Sequence, residues 1–532
     1  MTRNIPFVDC NCVIGRPGSR EPEILYRTDD LLSELKYHNI RGALVHHTLA
    51  VEFNQSYGNQ RLLEEIHGNE RLFGSWVLLP HHAGDMPAPE IVVREMKEKS
   101  IRAARIFPKF HQFDTREYVC GPLFSALERE GIPLFLDIAE IGLPEVHDIC
   151  QAHPGLPVVL TGMGWGVDRN LFPVMAHCRN LYVETSKYQG HNALAILCRE
   201  FGAERVLFGA GLPAMSPGAA KAMVMYSEIS AAEKEMIAGG NLLRLLGAKT
   251  PPPHEDMERD EIVRAVEAGR PLEIEVLDAH AHIGHEGCMG IEKNSLHDQG
   301  ASAMIRSMDR AGINRAFISS WIGIIADEKA GNRLIAEALR KYPGRFWGYG
   351  TFNPNYPEDI DAELDRCFKE YGMMGVKPYP PRHKYPLDGE NNKKVLQFAD
   401  EHHLPILCHY GGSAQTSVTA AQVDTLSEKY PNAKFIFAHS GSSWGAAKSC
   451  AAVAKKRANV FLEITYTSVT FGAVEYMVRE AGVEKVLYGS DFPMRDPCPQ
   501  IAWVAYAKLD VEAKRQIFAG NLRRILDDVR LP

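Results

Sequence analysis

The 532-residue chain lacks C-x-x-C motifs and runs of basic residues. Its 11 cysteines are scattered and include no C-x-x-C pair, and the odd count indicates free thiols. Lysine and arginine form no run, and the formal net charge is −8. We therefore expect no nucleic-acid partner, because a surface that binds nucleic acid needs concentrated positive charge.

Long apolar runs are missing as well. No stretch approaches the ~20 apolar residues that a membrane span needs, so we expect no membrane partner. Residues 1–6 lead directly into the first apolar run and leave no room for a signal peptide. We expect a soluble, cytoplasmic protein. Its 532 residues, 45% of them apolar and 24% charged, are enough for two globular domains.

The most informative pattern that is present lies at residues 278–284, Asp-Ala-His-Ala-His-Ile-Gly. An apolar run precedes it and predicts a buried strand. His280 and His282 are two positions apart, so on a strand their side chains point to the same side. An H-x-H pair alone is a weak signal. Whether the pair marks a metal site depends on which residues follow the other predicted strands.

Three further apolar runs directly precede residues that can bind a metal, namely His409, His439 and Asp491. Continuous apolar runs are typical of parallel strands that are covered on both faces. Helical patterns lie between these runs. Alternation of strand and helix over about 250 residues predicts a (β/α)8 barrel, in which catalytic groups occupy the C-terminal ends of the strands.

These motifs, in this order, resemble the amidohydrolase superfamily. More narrowly, they resemble the amidohydrolase-related branch that contains aminocarboxymuconate-semialdehyde decarboxylase and several lactonases and hydratases. The resemblance covers the second half of the chain and implies a metal-dependent barrel, but no particular substrate. It rests on Asp278–His282, Gly375-Val376-Lys377-Pro378, His409, His439, Gly489–Pro493 and Ala519–Leu522.

The first half repeats this layout without its chemistry. The matched positions are Asn11 with His280 (280 − 11 = 269), Val13 with His282, Asp137 with His409 (409 − 137 = 272), Gly162 with His439 (439 − 162 = 277) and Gly211 with Asp491 (491 − 211 = 280). Such a slow drift of the offset indicates a tandem duplication with a few loop insertions. We expect no catalytic metal in the first copy, because three of these positions offer no side-chain donor.

The sequence therefore predicts an α/β fold of two tandem (β/α)8 TIM-type barrels. A degenerate barrel is expected over residues 1–249 and a catalytic barrel over residues 274–532. Residues 250–273 between them begin with a proline run and are expected to form a stiff linker followed by a helix.

The resemblance implies that His280, His282, His409 and Asp491 bind one divalent metal and leave a position for water. Three imidazoles and one carboxylate suit Zn²⁺, which we expect, and are also compatible with Mn²⁺. Such a metal lowers the pKa of its bound water to about 7. The resemblance further assigns His439 as the acid/base beside that water and lets Asp491 accept the water's proton.

A binuclear scheme is the rival interpretation. In binuclear relatives a carboxylated lysine at the end of strand 4 bridges two metals, and Lys377 occupies that strand end. His409 and His439 would then hold the second ion. The Gly-Val-Lys-Pro and Gly-Ser-Asp-Phe-Pro contexts are more similar to the mononuclear branch, so we favour a single metal.

Lys377, Arg382 and Arg495 follow strands 4 and 8, where they are expected to bind a small anionic, carboxylate-bearing substrate. We favour hydrolysis of a lactone, amide or ester by a metal-activated water. The alternative is non-oxidative decarboxylation of an aromatic or unsaturated carboxylic acid, in which His439 assists protonation of carbon. A second alternative is a non-catalytic ligand-binding or scaffold protein, against which the retention of the site positions argues.

The resemblance also predicts a partner within the chain. Members of this branch commonly work as homodimers in which one barrel lies beside the mouth of the other. A fused pair would preserve that contact, so we expect the first barrel to pack against the second and to shape its entrance. Further association into a homo-oligomer stays open.

Overall fold

The computed structural model describes residues 5–164, 166–285, 300–411 and 415–532. The chain divides into two compact units, Met1–Glu258 and Arg259–Pro532. Each unit contains one sheet of eight parallel strands whose order in space is their order in the sequence. Helices lie between the strands. The predicted fold of two tandem (β/α)8 barrels is confirmed.

The strands of the first unit are short and almost entirely buried. They are β1 Phe7–Ile14, β2 Ile40–His47, β3 Leu72–Val77, β4 Ala103–Arg105, β5 Leu134–Asp137, β6 Val158–Thr161, β7 Leu181–Glu184 and β8 Val206–Leu207. The strands of the second unit follow the same plan. They are β9 Leu277–Ile283, β10 Arg315–Ser320, β11 Phe346–Gly350, β12 Gly375–Val376, β13 Pro405–His409, β14 Lys434–Ala438, β15 Val460–Glu463 and β16 Val486–Leu487.

The helices of the first unit are α1 Thr28–Tyr37, α2 Thr48–Glu52, α3 Gln55–Ile66, α4 Pro89–Glu98, α5 Glu117–Glu130, α6 Leu143–Ala152, α7 Asp168–His177, α8 Ala193–Phe201, α9 Pro217–Tyr226, α10 Ala231–Glu235 and α11 Asn241–Leu246. Those of the second are α12 Glu261–Glu267, α13 Ala301–Ala311, α14 Trp321–Ile325, α15 Glu328–Lys341, α16 Ile360–Asp365, α17 Pro380–His383, α18 Lys393–Glu401, α19 Ala420–Lys429, α20 Trp444–Lys456, α21 Ala473–Ala481, α22 Pro497–Ala505, α23 Val511–Arg515 and α24 Asn521–Asp527. No helix in these described ranges is both long and apolar enough to cross a membrane.

Each sheet closes on itself through hydrogen bonds between its first strand and the segment of its last strand. In the first unit the Cys10 amide donates to the Phe208 carbonyl at 3.0 Å. In the second, the Ala279 amide donates to the Tyr488 carbonyl at 3.0 Å. Closure satisfies the backbone groups that an open edge would leave unpaired.

The two barrels also end in the same arrangement of helices. A π-helical turn joins the last two helices of each unit, at Met236–Gly240 and at Gln516–Gly520. The Asn241 side-chain amide donates to the carbonyls of Ala203 and Val206, both at 2.8 Å. Asn521 makes the equivalent bonds in the second unit. A buried amide therefore anchors the final helix beneath the last strand in both copies.

The segment between the barrels contains one short helix, α12. Asp260 caps it by accepting from the Val263 amide at 2.8 Å. Four of its apolar residues are buried, and the side chain of Asp260 forms an ion pair with Lys514 at 2.7 Å. This helix consequently belongs to the second unit, and the division between the units falls inside the predicted linker.

Candidate metal centre

Three side-chain donors converge in the second barrel, at the C-terminal ends of its strands. His280 and His282 come from β9, and Asp491 lies just beyond β16. Asp491 Oδ1 is 3.1 Å from His282 Nε2 and 3.5 Å from His280 Nε2. Two donors on one zinc ion, each about 2.0–2.2 Å from it, lie about 3.3–3.5 Å apart. The spacing of these three buried donors therefore fits one divalent ion.

The opposite ring nitrogens of the two histidines are also held. His280 Nδ1 contacts Glu463 Oε2 at 2.9 Å, and His282 Nδ1 contacts Ser319 Oγ at 2.9 Å. When Nδ1 donates its hydrogen to these oxygens, Nε2 keeps the lone pair that a metal needs. Trp321 stacks on the His282 ring at a centroid distance of 4.5 Å. Both imidazoles are thus fixed with their ligating nitrogens toward Asp491.

Glu463 is a further residue of this centre, which the sequence motifs did not predict. It ends β15 and, besides His280, accepts hydrogen bonds from the backbone amides of His439 at 3.2 Å and Thr465 at 2.6 Å. A lone glutamate at a strand end carries no motif. The internal repeat does point to it, because a glutamate, Glu184, occupies the matched position of the first half. The offset between the two (463 − 184 = 279) lies within the range of the other offsets.

The structure places the other two predicted histidines beside each other. His409 Nδ1 is 3.2 Å from His439 Nε2, and His439 Nδ1 donates to the Thr465 carbonyl at 2.8 Å. The ring of His439 also lies 5.0 Å from that of His280. Within the described residues, His409 does not belong to a group of three converging donors. Its role as the fourth ligand stays a prediction.

The three predicted substrate-binding cations occupy different surroundings. Lys377 is fully buried, and its Nζ donates to His280 Nε2 at 2.7 Å, so it lies among the predicted metal ligands. Arg495 is buried and forms an ion pair with Asp491 and a 2.6 Å hydrogen bond with Thr467 Oγ1. Arg382 is exposed on α17. The structure brings two of the cations to the centre and leaves the third at the surface.

Burial sets the charge of this centre. It lowers the pKa of His280, His282 and His439 well below the ordinary value, and it lowers the pKa of His409 to about 3. Burial also lowers the pKa of Lys377 to about 7. The imidazoles are therefore neutral at physiological pH, which is the state in which histidine binds a metal.

Two residues of the centre have a left-handed backbone. His439 has φ 66° and Asp491 has φ 55°. This region is uncommon for residues other than glycine, and strained residues of this kind are enriched at functional sites. The matched positions of the first barrel, Gly162 and Gly211, both have φ 73°. The first copy keeps the backbone path and carries the residue that adopts it without strain.

The first barrel has no imidazole at the matched strand ends. Arg105 corresponds to Lys377, since 377 − 105 = 272, and it donates to Asn11 Oδ1 at 3.1 Å. This contact mirrors the one between Lys377 and His280. The Asp137 carboxylate lies against Gly162, where an added Cβ would be 2.7 Å from Asp137 Oδ2. The described residues of this barrel contain no group of three converging metal donors.

Comparison with known proteins agrees with this duplication. A family model described as "Amidohydrolase" matches residues 15–248 and again residues 277–527. A curated gamma-resorcylate decarboxylase from Polaromonas sp. (strain JS666 / ATCC BAA-500) is 23% identical over 281 residues, which cover 42% of this chain and 85% of the relative.

Two solved structures have a similar fold. One is a 5-carboxyvanillate decarboxylase from Novosphingobium aromaticivorans complexed with manganese, with 15% identity, coverage of 51% of this chain and 100% of that chain, and a TM-score of 0.40. The other is a dihydroxybenzoic acid decarboxylase from Polaromonas sp. JS666 with bound manganese, with 16% identity, coverage of 48% and 97%, and a TM-score of 0.39.

Proposed function

Because the chain belongs to the amidohydrolase family over both of its barrels, we propose that its second barrel is a divalent-metal-dependent decarboxylase of a small aromatic carboxylic acid. The curated relative, a gamma-resorcylate decarboxylase, carries this choice. It supports the decarboxylase alternative over the hydrolase that the sequence motifs favoured. Membership of the family makes the chain an enzyme of the amidohydrolase superfamily.

The surroundings of the centre support a flat, anionic substrate. Three aromatic rings stand beside the histidines: Trp321 on His282, Tyr379 at 4.8 Å from His409, and Tyr466 at 5.6 Å from His439. Lys377 and Arg495 add positive charge next to the ligand set. Aromatic walls favour a planar ring, and cations favour a carboxylate.

The ligand set suits one divalent ion held by His280, His282 and Asp491, with His409 as the proposed fourth ligand. When bound, that ion would act as a Lewis acid that orients the substrate's oxygen atoms. Zinc is our first choice and manganese the second, because both accept imidazole and carboxylate donors. Elemental analysis of the purified chain decides between them, and two equivalents with a modified Lys377 would favour the binuclear scheme.

In the proposed reaction, the bond between the ring carbon and the carboxylate carbon breaks and carbon dioxide leaves. The electron pair of that bond stays on the ring carbon, which takes up one proton. We assign His439 Nε2 as the atom that delivers this proton, because its Nδ1 is held by the Thr465 carbonyl. The negative charge of a bound substrate would raise the pKa of His439 towards the protonated state. No water is consumed.

The test is to incubate the metal-loaded full chain with gamma-resorcylate and other hydroxybenzoates in D₂O. Release of carbon dioxide, with one deuterium at the carbon that lost the carboxylate, is the expected result. Lactones, amides and esters are assayed in parallel, with His439→Ala as the control. Hydrolysis without release of carbon dioxide would overturn the proposal in favour of the hydrolase, and a chain without stoichiometric metal would favour a scaffold.

We propose that the first barrel packs against the second and stabilises it. Residues 259–532 expressed alone should then be less soluble or less active than the full chain. A fragment that is soluble, binds metal and turns over substrate as the full chain does would contradict this contact.

A further inference from the structure

The first barrel keeps a cavity at the end that corresponds to the candidate metal centre of the second. Its volume is about 240 Å³. Asn11, Val13 and Gly211, which stand at three of the lost ligand positions, line it. The volume exceeds that of several water molecules, each of which takes about 30 Å³ in the liquid. Loss of the ligands has therefore not led to collapse of the pocket.

A buried guanidinium faces this cavity. Arg105 is 4% exposed and lines the wall. It donates to Asn11 Oδ1 at 3.1 Å and to the Cys10 carbonyl at 2.8 Å, while its Nε has no hydrogen-bond partner in the described part of the chain. Among the same residues it has no carboxylate within the 4 Å of an ion pair. A buried charge normally has such a partner.

Further unused hydrogen-bonding capacity lies in the same wall. His46 is buried and its Nδ1 has no partner among the described residues. Lys187 also lines the cavity. The Asp137 carboxylate lies on this wall as well, but its oxygens accept from the Ala139 amide at 2.9 Å and the Thr161 hydroxyl at 3.3 Å.

Three acids lie near Arg105 and compensate part of its charge, namely Asp137, Glu184 and Asp9. Burial raises the pKa of Asp9 and raises that of Glu184 to about 7, which weakens Glu184 as a counter-charge near neutral pH. Asp9 Oδ1 also accepts from the amides of Asn11 and Ala210, which makes it part of the barrel framework. None of these three carboxylates accepts a hydrogen bond from Arg105 among the described residues, so its Nε donor remains unused.

The remaining lining is apolar and partly aromatic. Phe135 lies under the guanidinium of Arg105 at 4.8 Å, and Phe107 packs near His46 at 5.8 Å. Val13 and Met215 complete this apolar part. A flat ring fits between such side chains, and a carboxylate on that ring matches the planar fork of an arginine.

We propose that the first barrel is a binding site for a small planar carboxylate, held by Arg105 and requiring no metal. The site is separate from the proposed catalytic centre and does not rest on the proposed reaction. A monocarboxylate of the size of benzoate fits within the cavity, supplies an acceptor for Arg105 and leaves Asp137 to receive a hydroxyl group if the ring carries one. The degenerate copy is then a receptor for carboxylates.

The test is calorimetric titration of benzoate into the full chain after chelation of metal. We expect saturable binding that Arg105→Gln weakens by about tenfold or more, since charge-assisted hydrogen bonds are lost. Val13→Phe adds a ring to the cavity and leaves the guanidinium in the sequence, so it should weaken binding as strongly and decides the matter if Arg105→Gln does not fold. Benzyl alcohol, which lacks the charge, should bind more weakly by a similar factor.

Asp491→Ala is the matched control for the other barrel. Binding that is unchanged in Asp491→Ala and weakened in Val13→Phe places benzoate in the first barrel. The proposal is overturned if the wild-type chain shows no saturable binding. It is also overturned if the two first-barrel variants bind benzoate as the wild type does, or if Asp491→Ala abolishes binding.

Discussion

The two barrels of this chain share a frame and differ at the strand ends. In both, an aspartate at the start of the first strand accepts from two backbone amides: Asp9 from Asn11 and Ala210, and Asp278 from His280 and Ser490. These bonds join the first and last strands, so they serve closure of the barrel. The aspartate of the Asp-x-His-x-His motif therefore serves the barrel framework, and the candidate metal ligands are the imidazoles beside it.

The glutamate that ends the seventh strand of each barrel shows a second difference. Glu184 accepts from the Gly162 amide at 3.2 Å, as Glu463 accepts from the His439 amide at 3.2 Å. Both glutamates thus hold the left-handed turn after the sixth strand. Of the two glutamates, Glu463 also contacts an imidazole: its Oε2, which accepts from the His439 amide, lies 2.9 Å from His280 Nδ1. One ancestral contact was kept in both copies, and in the second it also orients a metal ligand.

The largest expected effect comes from removing a ligand. His280→Ala should abolish both stoichiometric metal binding and activity, because the remaining donors form an incomplete site. Asn11→Ala is the matched change in the first barrel and should leave both unchanged. Metal content is measured by elemental analysis and turnover by release of carbon dioxide. Loss of metal in Asn11→Ala would contradict the assignment of the centre to the second barrel.

Substitution of His439 should distinguish metal binding from catalysis. His439→Ala should retain most of the metal and lose activity by about 10²–10⁴-fold, the range expected for removal of a general acid/base. The paired readout is metal content and the rate of deuterium incorporation. If His439→Ala loses metal as completely as His280→Ala, His439 is a ligand and the mononuclear scheme is wrong.

Glu463 should have a smaller effect, because it acts through His280. Glu463→Gln should reduce metal affinity or turnover by about 10–100-fold, as is usual for residues that orient a ligand. A chelator titration reports the affinity, and excess metal should restore part of the activity. Glu184→Gln provides the control and should leave metal affinity unchanged. Equal losses in the two variants would indicate a general defect of the fold.

Much of this site could be predicted from the sequence because its residues follow strands. His280, His282 and Asp491 each adjoin an apolar run, and parallel strands bring their C-terminal ends together. Repetition of the same runs in the first half predicted the first barrel. These features depend on short segments that can be interpreted locally.

The remaining features depend on contacts between distant segments. Glu463 lies 183 positions from His280, and no local pattern indicates that their side chains meet. Lys377 was expected to bind substrate after strand 4, but it is fully buried directly after β12 and its Nζ donates to His280 Nε2. The contact of His409 with His439 likewise follows from the register of β13 against β14, which the sequence does not specify.

The smallest expected effect concerns the pH dependence of the first barrel. Glu184 is fully buried, and burial raises its pKa from 4.5 to about 7 despite hydrogen bonds from Ser186 and Gly162. Between pH 4.5 and about 7, the Glu184 carboxyl group is mostly protonated in the folded state and mostly ionised in the unfolded state. The contribution of Glu184 to stability is therefore fully present below about pH 4.5 and is lost as the pH rises to about 7.

Glu184→Gln tests this directly, because glutamine is uncharged at every pH. The stability of the first barrel, followed by hydrogen exchange of β6 and β7, should fall with rising pH in the wild-type chain. In the variant the same protection should fall less steeply. Each kcal/mol corresponds to a shift in melting temperature of about 2–4 °C for a domain of this size. Asp9, whose pKa burial also raises, contributes in the same direction and remains in both proteins. Only the difference between the two pH profiles therefore reports Glu184, and identical profiles would show that this carboxyl group keeps its ordinary pKa in the fold.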